Sequence, residues 1–342
     1  MPELQKVIET FRKRLLGLDS AAAAQLVQAY GPIWLRLKSE IESLIAEVQD
    51  KQLSFVQAMR LQRAERLRAQ VLSEMSRYAR VANGRVTAGQ AASVALSQEG
   101  TSSVVKAALP RGLTMQTLAR VGLEWNVLPR EAFSVFVGLA GDGKPLARLL
   151  EPLGPEVSQG VREGLAEGIA LGHGPVKTAG LIRDRVGMGL TRSLTISRTE
   201  ILRAYRESTR LQYQANSNIV KGYIRRASLS DATCLACLAL DGKRYELDEP
   251  LDEHINGRCF IVPDPISYRD LGLDVEDARE EREKAEDWFN RQAPASQRAM
   301  MGDSRFEAWQ GGEFQFGDMA KIEHNAVWGD QAVTKPLKEL VR

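Results

Sequence analysis

Cys234, Cys237, His254 and Cys259 are the residues whose types and spacing carry recognisable chemistry. The pattern is Cys-x2-Cys, a gap of sixteen residues, then His-x4-Cys. Zinc takes four sulfur or nitrogen ligands at tetrahedral corners, and a Cys-x2-Cys turn presents two thiolates to one ion. The second pair must come from a returning chain, and Asp241-Gly242, a hairpin-turn signal, is expected to make that return. With side chains at all four corners the site is closed, which points to a structural ion and leaves no corner for a catalytic water.

Three other uses of the same residues compete. A redox Cys-x-x-Cys belongs at the start of a helix in a thioredoxin-like βαβ unit, and the surrounding sequence lacks that context. A Cys237–Cys259 disulfide is disfavoured in the cytoplasmic compartment that three cysteines and the absence of a leader suggest. Unliganded cysteines beside an exposed histidine remain open, because cysteine is among the most buried residue types even without a metal.

Other candidates carry less chemistry. Gly138-Leu139-Ala140-Gly141-Asp142-Gly143-Lys144-Pro145 approaches a phosphate-cradling loop, but Pro145 stands where a hydroxyl residue must ligate magnesium, so a turn is expected. His173 lies between glycines with no carboxylate or nucleophile tied to it by sequence, and His324 sits in an acidic stretch. Arg198-Thr199-Glu200 falls on a predicted helix, where such residues cap, pair with neighbours or hold a core turn.

The elements that must position these residues are mostly helical. Leu4, Val7, Phe11 and Leu15, and then Trp34, Leu37, Ile41, Leu44 and Val48, recur at three- or four-residue steps, with breaks expected at Gly31-Pro32 and at 50–54. A third helix carries Arg60, Arg63 and Arg66. Residues 83–103 are small and polar and read as a loop. Helices are predicted over 146–153, 161–171, 181–192 and 192–214, cut by Gly154-Pro155 and Gly172-His173-Gly174-Pro175. Residues 219–227, 238–247 and 258–262 read as strands, and 275–289 as a helix. The expected fold is therefore mainly α with a small α+β module. It comprises a helical N-terminal region (1–120), a central helical region (121–214), short antiparallel strands around a zinc-type knuckle (215–264), and an acidic helical tail (265–342).

Charge is unevenly placed along the 342 residues. Residues 1–230 carry +12 and residues 231–342 carry −10, although the whole chain is at +2. Arg203, Arg206 and Arg210 on one helix, with Arg225 and Arg226 on the following strand, are the candidate contacts for DNA or for an acidic protein face. The knuckle itself is acidic and repels phosphate, which argues against a DNA-reading zinc module. No apolar run approaches the roughly 20 residues that span a bilayer, so no membrane association is expected.

At Arg198-Thr199-Glu200 and the helix after it, and at Asp231-Ala232-Thr233-Cys234-Leu235-Ala236-Cys237-Leu238-Ala239-Leu240-Asp241-Gly242, the sequence resembles the phage minor head protein family of the Mu protein F type. That family shows an Arg-Thr-Glu helix, a strand, a Cys-x-x-Cys before Leu-Asp-Gly, and a closing His-Pro-x-Cys-Arg-Cys segment. Here the closing segment is His254-Ile255-Asn256-Gly257-Arg258-Cys259, with Ile255 in place of the proline and Gly257 in place of the first cysteine. Four candidate ligands remain where the family often has five. Family-like segments at 141–146 and 287–311 extend the resemblance over residues 125–315.

The resemblance implies a low-copy structural protein of a tailed-phage head, assembled in the host cytoplasm and placed inside the capsid near the portal. Its implied partners are the portal protein, the major capsid or scaffold protein and the packaged DNA, with no small-molecule substrate and no catalytic activity. The competing function is a toxin-like effector enzyme carrying a structural zinc module. An effector needs a further acid, base or nucleophile constellation, and none is evident after Pro263.

Overall fold

The computed structural model describes residues 3–277 and 283–341. The chain opens with α1 (Glu3–Asp50), the short α2 (Phe55–Ala58), α3 (Gln62–Ala108) and α4 (Met115–Arg120). A 3-10 turn, α5 (Ala147–Leu150), α6 (Leu153–Ala170) and the long α7 (Pro175–Gln214) follow. Then come β1 (Val220–Arg226), α8 (Leu235–Ala239), β2 (Arg244–Tyr245) and β3 (Phe260–Pro265). The C-terminal part holds α9 (Ala285–Asn290), α10 (Pro294–Met301), α11 (Asp303–Gln310), β4 (Ala320–Asn325), β5 (Gly329–Thr334) and α12 (Leu337–Leu340). The fold is mainly helical with a small antiparallel sheet, as the sequence predicts. Among the described residues no helix is long and apolar enough to cross a membrane.

Helix α1 runs through the expected break at Gly31-Pro32. An interior proline removes one amide donor and costs about 3 kcal/mol. Tyr30, Ile33, Leu37 and Ile41 are buried on either side of it, each contributing roughly 1.5–3 kcal/mol, so burial outweighs the lost bond. Residues 83–103, expected to be a loop, are helical as part of α3. Val86, Val94 and Leu96 are buried there, but they are interspersed with the equally buried Gln90, Ser93, Ser97 and Thr101, so the apolar period is interrupted. The small residues serve close approach instead: a Cβ added at Gly100 would stand 2.7 Å from the Phe11 ring.

Two compact units divide the chain, each made of discontinuous stretches. The four consecutive segments read from the sequence follow chain order, whereas the division falls within α1, α3 and α7.

One unit comprises residues 18–90 and 138–201. Its core contains Leu26, Leu37, Ile41, Met75, Leu146, Leu153 and Ile182. Arg198 Nε donates to the buried Asp19 Oδ2 at 2.9 Å, Thr199 Oγ1 donates to Thr195 O, and Glu200 Oε1 accepts from Gly141 N at 3.3 Å. The Arg-Thr-Glu trio is thus a set of structural ties. The phosphate-loop lookalike is a turn, closed by Gly143 N to Ala140 O at 2.9 Å and by a bridge between Leu139 and Pro145.

The other unit comprises residues 1–17, 91–137 and 202–342. Its three-stranded antiparallel sheet has the order β2-β1-β3, with Tyr223 opposite Tyr245 and Ile224 opposite Val262. Tyr213, Ile219, Val220, Tyr223 and Ile261 pack behind the sheet. A second core joins Leu235 and Leu238 of α8 to Phe289, Phe306, Phe316 and Met319. The region read as a helical tail is therefore packed, and it includes a β4–β5 hairpin absent from the sequence reading. Of the helix expected at 275–289, residues 278–282 lie outside the described residues, and helix begins at Ala285.

Candidate metal centre

The expected strand over 238–247 is replaced by α8, a turn and the two-residue β2. Leu235, Ala236, Leu238 and Ala239 are good helix formers, and Cys234 caps them: its backbone is extended and its Sγ accepts from Cys237 N at 3.3 Å. Asp241-Gly242 is thus the α8–β2 connection and not a hairpin, and Gly242 supplies the positive φ of 88° that the turn requires. Gly242 N and Arg225 N extend the β1 ladder by bonding to Arg225 O and Lys243 O. This keeps the turn against the strand, which brings the end of α8 back to β1.

His254 opens a tight turn in which Gly257 N donates to His254 O at 2.9 Å and Asn256 takes a left-handed φ of 63°. His254 Nδ1 donates to Ile255 O at 2.7 Å. A carbonyl can only accept, so Nδ1 carries hydrogen and Nε2 is the atom offered to the sulfurs. Nε2 lies 3.1 Å from Cys237 Sγ and 3.3 Å from Cys234 Sγ.

Two ligand groups overlap at Cys237: one is Cys234, Cys237 and His254, the other Cys237, Glu253 and Cys259. Three of the four predicted ligands, Cys234, Cys237 and His254, thus lie within 4.8 Å of one another, and Cys259 joins them only through Cys237, in the second group. A tetrahedral zinc with ordinary bond lengths sets its sulfur–nitrogen edges at about 3.5 Å. The two observed separations are a few tenths of an ångström shorter, so a small outward shift of the imidazole opens the Cys234–Cys237–His254 face to an ion, and Cys259 must close in to complete the tetrahedron. The donor set fits zinc, and the cluster can hold a metal.

Without an ion the sulfurs and the imidazole share protons. Cys234 is pulled below the usual thiol range, chiefly by a hydrogen bond from Cys237, while Cys237 is held above it by the same bond. Cys259 lies well above the usual range, through its hydrogen bond with Cys237 and its burial. Burial works against a charged His254, yet its bond to Cys237 and the charges of Cys237 and Glu253 raise it to about 9. An imidazolium raised in the fold stabilises fully below its ordinary value of 6.5, and the contribution is lost as pH climbs through about 9. In chelator, the stability advantage of wild type over His254→Gln is expected to shrink across that window by on the order of 2–3 kcal/mol. Urea unfolding at pH 6 and pH 9.5 checks this, and an unchanged difference contradicts it.

Residues 159–262 match the family described as Phage Mu protein F like protein. The matched span runs from within α6 through α7, β1, α8 and β2 into β3, and contains all four candidate ligands. It is narrower than the 125–315 over which the sequence suggests the resemblance. No curated protein and no solved structure matches the chain.

The basic candidates fare differently from the metal ligands. Arg225 is 0% exposed and Arg206 is 5% exposed, so neither presents a surface to DNA or to another protein. Arg206 Nη1 is committed to Gly257 O and Cys259 O at 3.4 and 3.2 Å. Arg210 pairs with Glu207 and donates to Leu247 O at 2.8 Å, and Arg203 and Arg226 are half-buried. Strand alternation holds the missed signal, since Arg225 and Arg226 must point to opposite faces and Arg225 shares its face with buried Tyr223. Glu253, also missed, is buried next to His254.

Proposed function

We propose that this chain is a structural minor head protein of a tailed phage, with a structural zinc ion at Cys234, Cys237, His254 and Cys259, acting inside the head near the portal in assembly and in DNA packaging or ejection. The carrying observation is that the family match of residues 159–262 contains the whole ligand cluster. A bound zinc supplies a cross-link and folding free energy here rather than an open coordination position.

The chain's own residues make that cross-link useful. Cys234 and Cys237 anchor α8, whose Leu235 and Leu238 enter the C-terminal core. His254 and Cys259 anchor the segment leading into β3, which pairs with β1. Arg206 on α7 holds the carbonyls of Gly257 and Cys259, so the long helix is tied to the same closing turn. A rigid platform follows, suited to docking against other head proteins. DNA contact, if the head role includes it, falls to basic side chains other than Arg206 and Arg225, such as the exposed Arg66 and Arg111.

The test is metal analysis of the purified full-length protein together with co-expression with the portal protein of the same phage. About one zinc per chain is expected, along with a stable complex with the portal and recovery of the chain from purified heads. Absence of the chain from heads and from portal complexes overturns the head role, and absence of zinc overturns the metal.

A further inference from the structure

Two ligand groups meet at Cys237, and the second faces the guanidinium of Arg225. The fully buried Arg225 places Nη2 3.0 Å from Glu253 Oε2, 3.4 Å from Cys237 Sγ and 3.6 Å from Cys259 Sγ. Its Nη1 donates to Asp252 Oδ1 at 2.9 Å, and Tyr245 Oη holds that same oxygen at 2.6 Å. A guanidinium stays protonated in proteins, so this positive charge is permanent. Two carboxylates and two sulfurs therefore face one organic cation, in the arrangement they would offer to a metal.

Position 257 accounts for the presence of Glu253. A Cβ built on Gly257 would lie 1.8 Å from Glu253 Oε1, so the glutamate fills the room that a side chain at 257 would need. From there Oε1 is also 3.7 Å from Cys237 Sγ and 3.5 Å from His254 Nε2. Glu253 is thus close enough to compete for an ion in the first group, and something must decide that it does not.

We propose that Arg225 is the resident cation of the second group: it confines the metal to a single position and keeps Glu253 as its own partner instead of a ligand. The ion then takes Cys234, Cys237, His254 and Cys259, and the Cys237 and Cys259 sulfurs accept hydrogen bonds from the guanidinium while bound. Hydrogen bonds of this kind offset the excess negative charge of three thiolates and fix their direction. Arg225 is a positioning residue, and the inference rests on the metal reading above.

Cobalt titration of full-length wild type, Glu253→Gln and Arg225→Gln under reducing conditions tests it, because cobalt absorption reports both the number of thiolates and the coordination geometry. Wild type and Glu253→Gln are expected to bind one equivalent with superimposable spectra. Arg225→Gln is expected to take up a second equivalent, bound by Cys237, Cys259, Glu253 and Asp252 and lost again in the Arg225→Gln/Glu253→Gln double variant. A changed spectrum in Glu253→Gln makes Glu253 a ligand and overturns the proposal, even if Arg225→Gln does not fold. One equivalent with a wild-type spectrum in folded Arg225→Gln overturns it as well. Failure of wild type to bind cobalt or zinc removes the metal reading itself, and so is distinguishable from either result.

Discussion

Cys237→Ser is expected to abolish metal binding and unfold the module around α8, with a much larger effect than Cys234→Ser. Cys237 belongs to both ligand groups, is buried, and faces both His254 Nε2 and the Arg225 guanidinium. Serine there removes the shared thiolate and leaves a buried guanidinium beside a poorer acceptor. Cys234 belongs to one group, is half-buried, and also caps α8. Serine is a preferred N-cap, so Cys234→Ser weakens the metal site while keeping the helix start. Structural zinc contributes an apparent 10–16 kcal/mol in finger peptides near neutral pH, and even a fraction of that exceeds most single-residue effects. Metal content and thermal unfolding, each with and without chelator, measure the difference. Full zinc content in Cys237→Ser, or equal losses in the two variants, contradicts the arrangement.

Phe289→Ala is expected to cost about 3–5 kcal/mol, the range for deleting a fully buried aromatic side chain. Phe289 is 0% exposed, and its ring lies 5.5 Å from that of Trp309 and 5.2 Å from that of Phe316. Leu235 and Leu238 share this core, so loosening it also frees the helix that carries two of the ligands. A lowered metal affinity should therefore accompany the lost stability, although Phe289 is not itself a candidate ligand. Urea unfolding followed by tryptophan fluorescence, combined with chelator competition, reads both effects. A loss under about 1 kcal/mol would show that the C-terminal region does not support the module.

The Cys/His cluster was legible because its information is local: two short spacings with chemically distinctive residues. The β1 strand was legible for a similar reason, as Val220 to Arg226 joins β-branched and aromatic residues to a clear pairing edge. Residues 83–103 were not, because Gln90, Ser93, Ser97 and Thr101 interrupt their buried apolar positions, and the partners of Gln90 and Ser97, Leu139 O and Thr209, lie far away in sequence. The hairpin at 320–334 is polar enough to pass for tail, and only its antiparallel register reveals it. Arg225 and Glu253 lay hidden for the opposite reason: charge suggests exposure, and only the fold shows that each neutralises the other. Gly257 looked like a lost ligand, whereas in three dimensions it is the room in which Glu253 sits.

Among the described residues, the only strand that pairs with β4 is β5. The outer side of such a ribbon is a template on which identical chains can stack edge to edge, a hazard that grows with local crowding. Lys321, Glu323 and His324 along β4, with Glu323 and His324 exposed, discourage that stacking through charge and hydration. Neutralising Lys321 and Glu323 together would therefore make the chain more prone to self-association, without altering its interior.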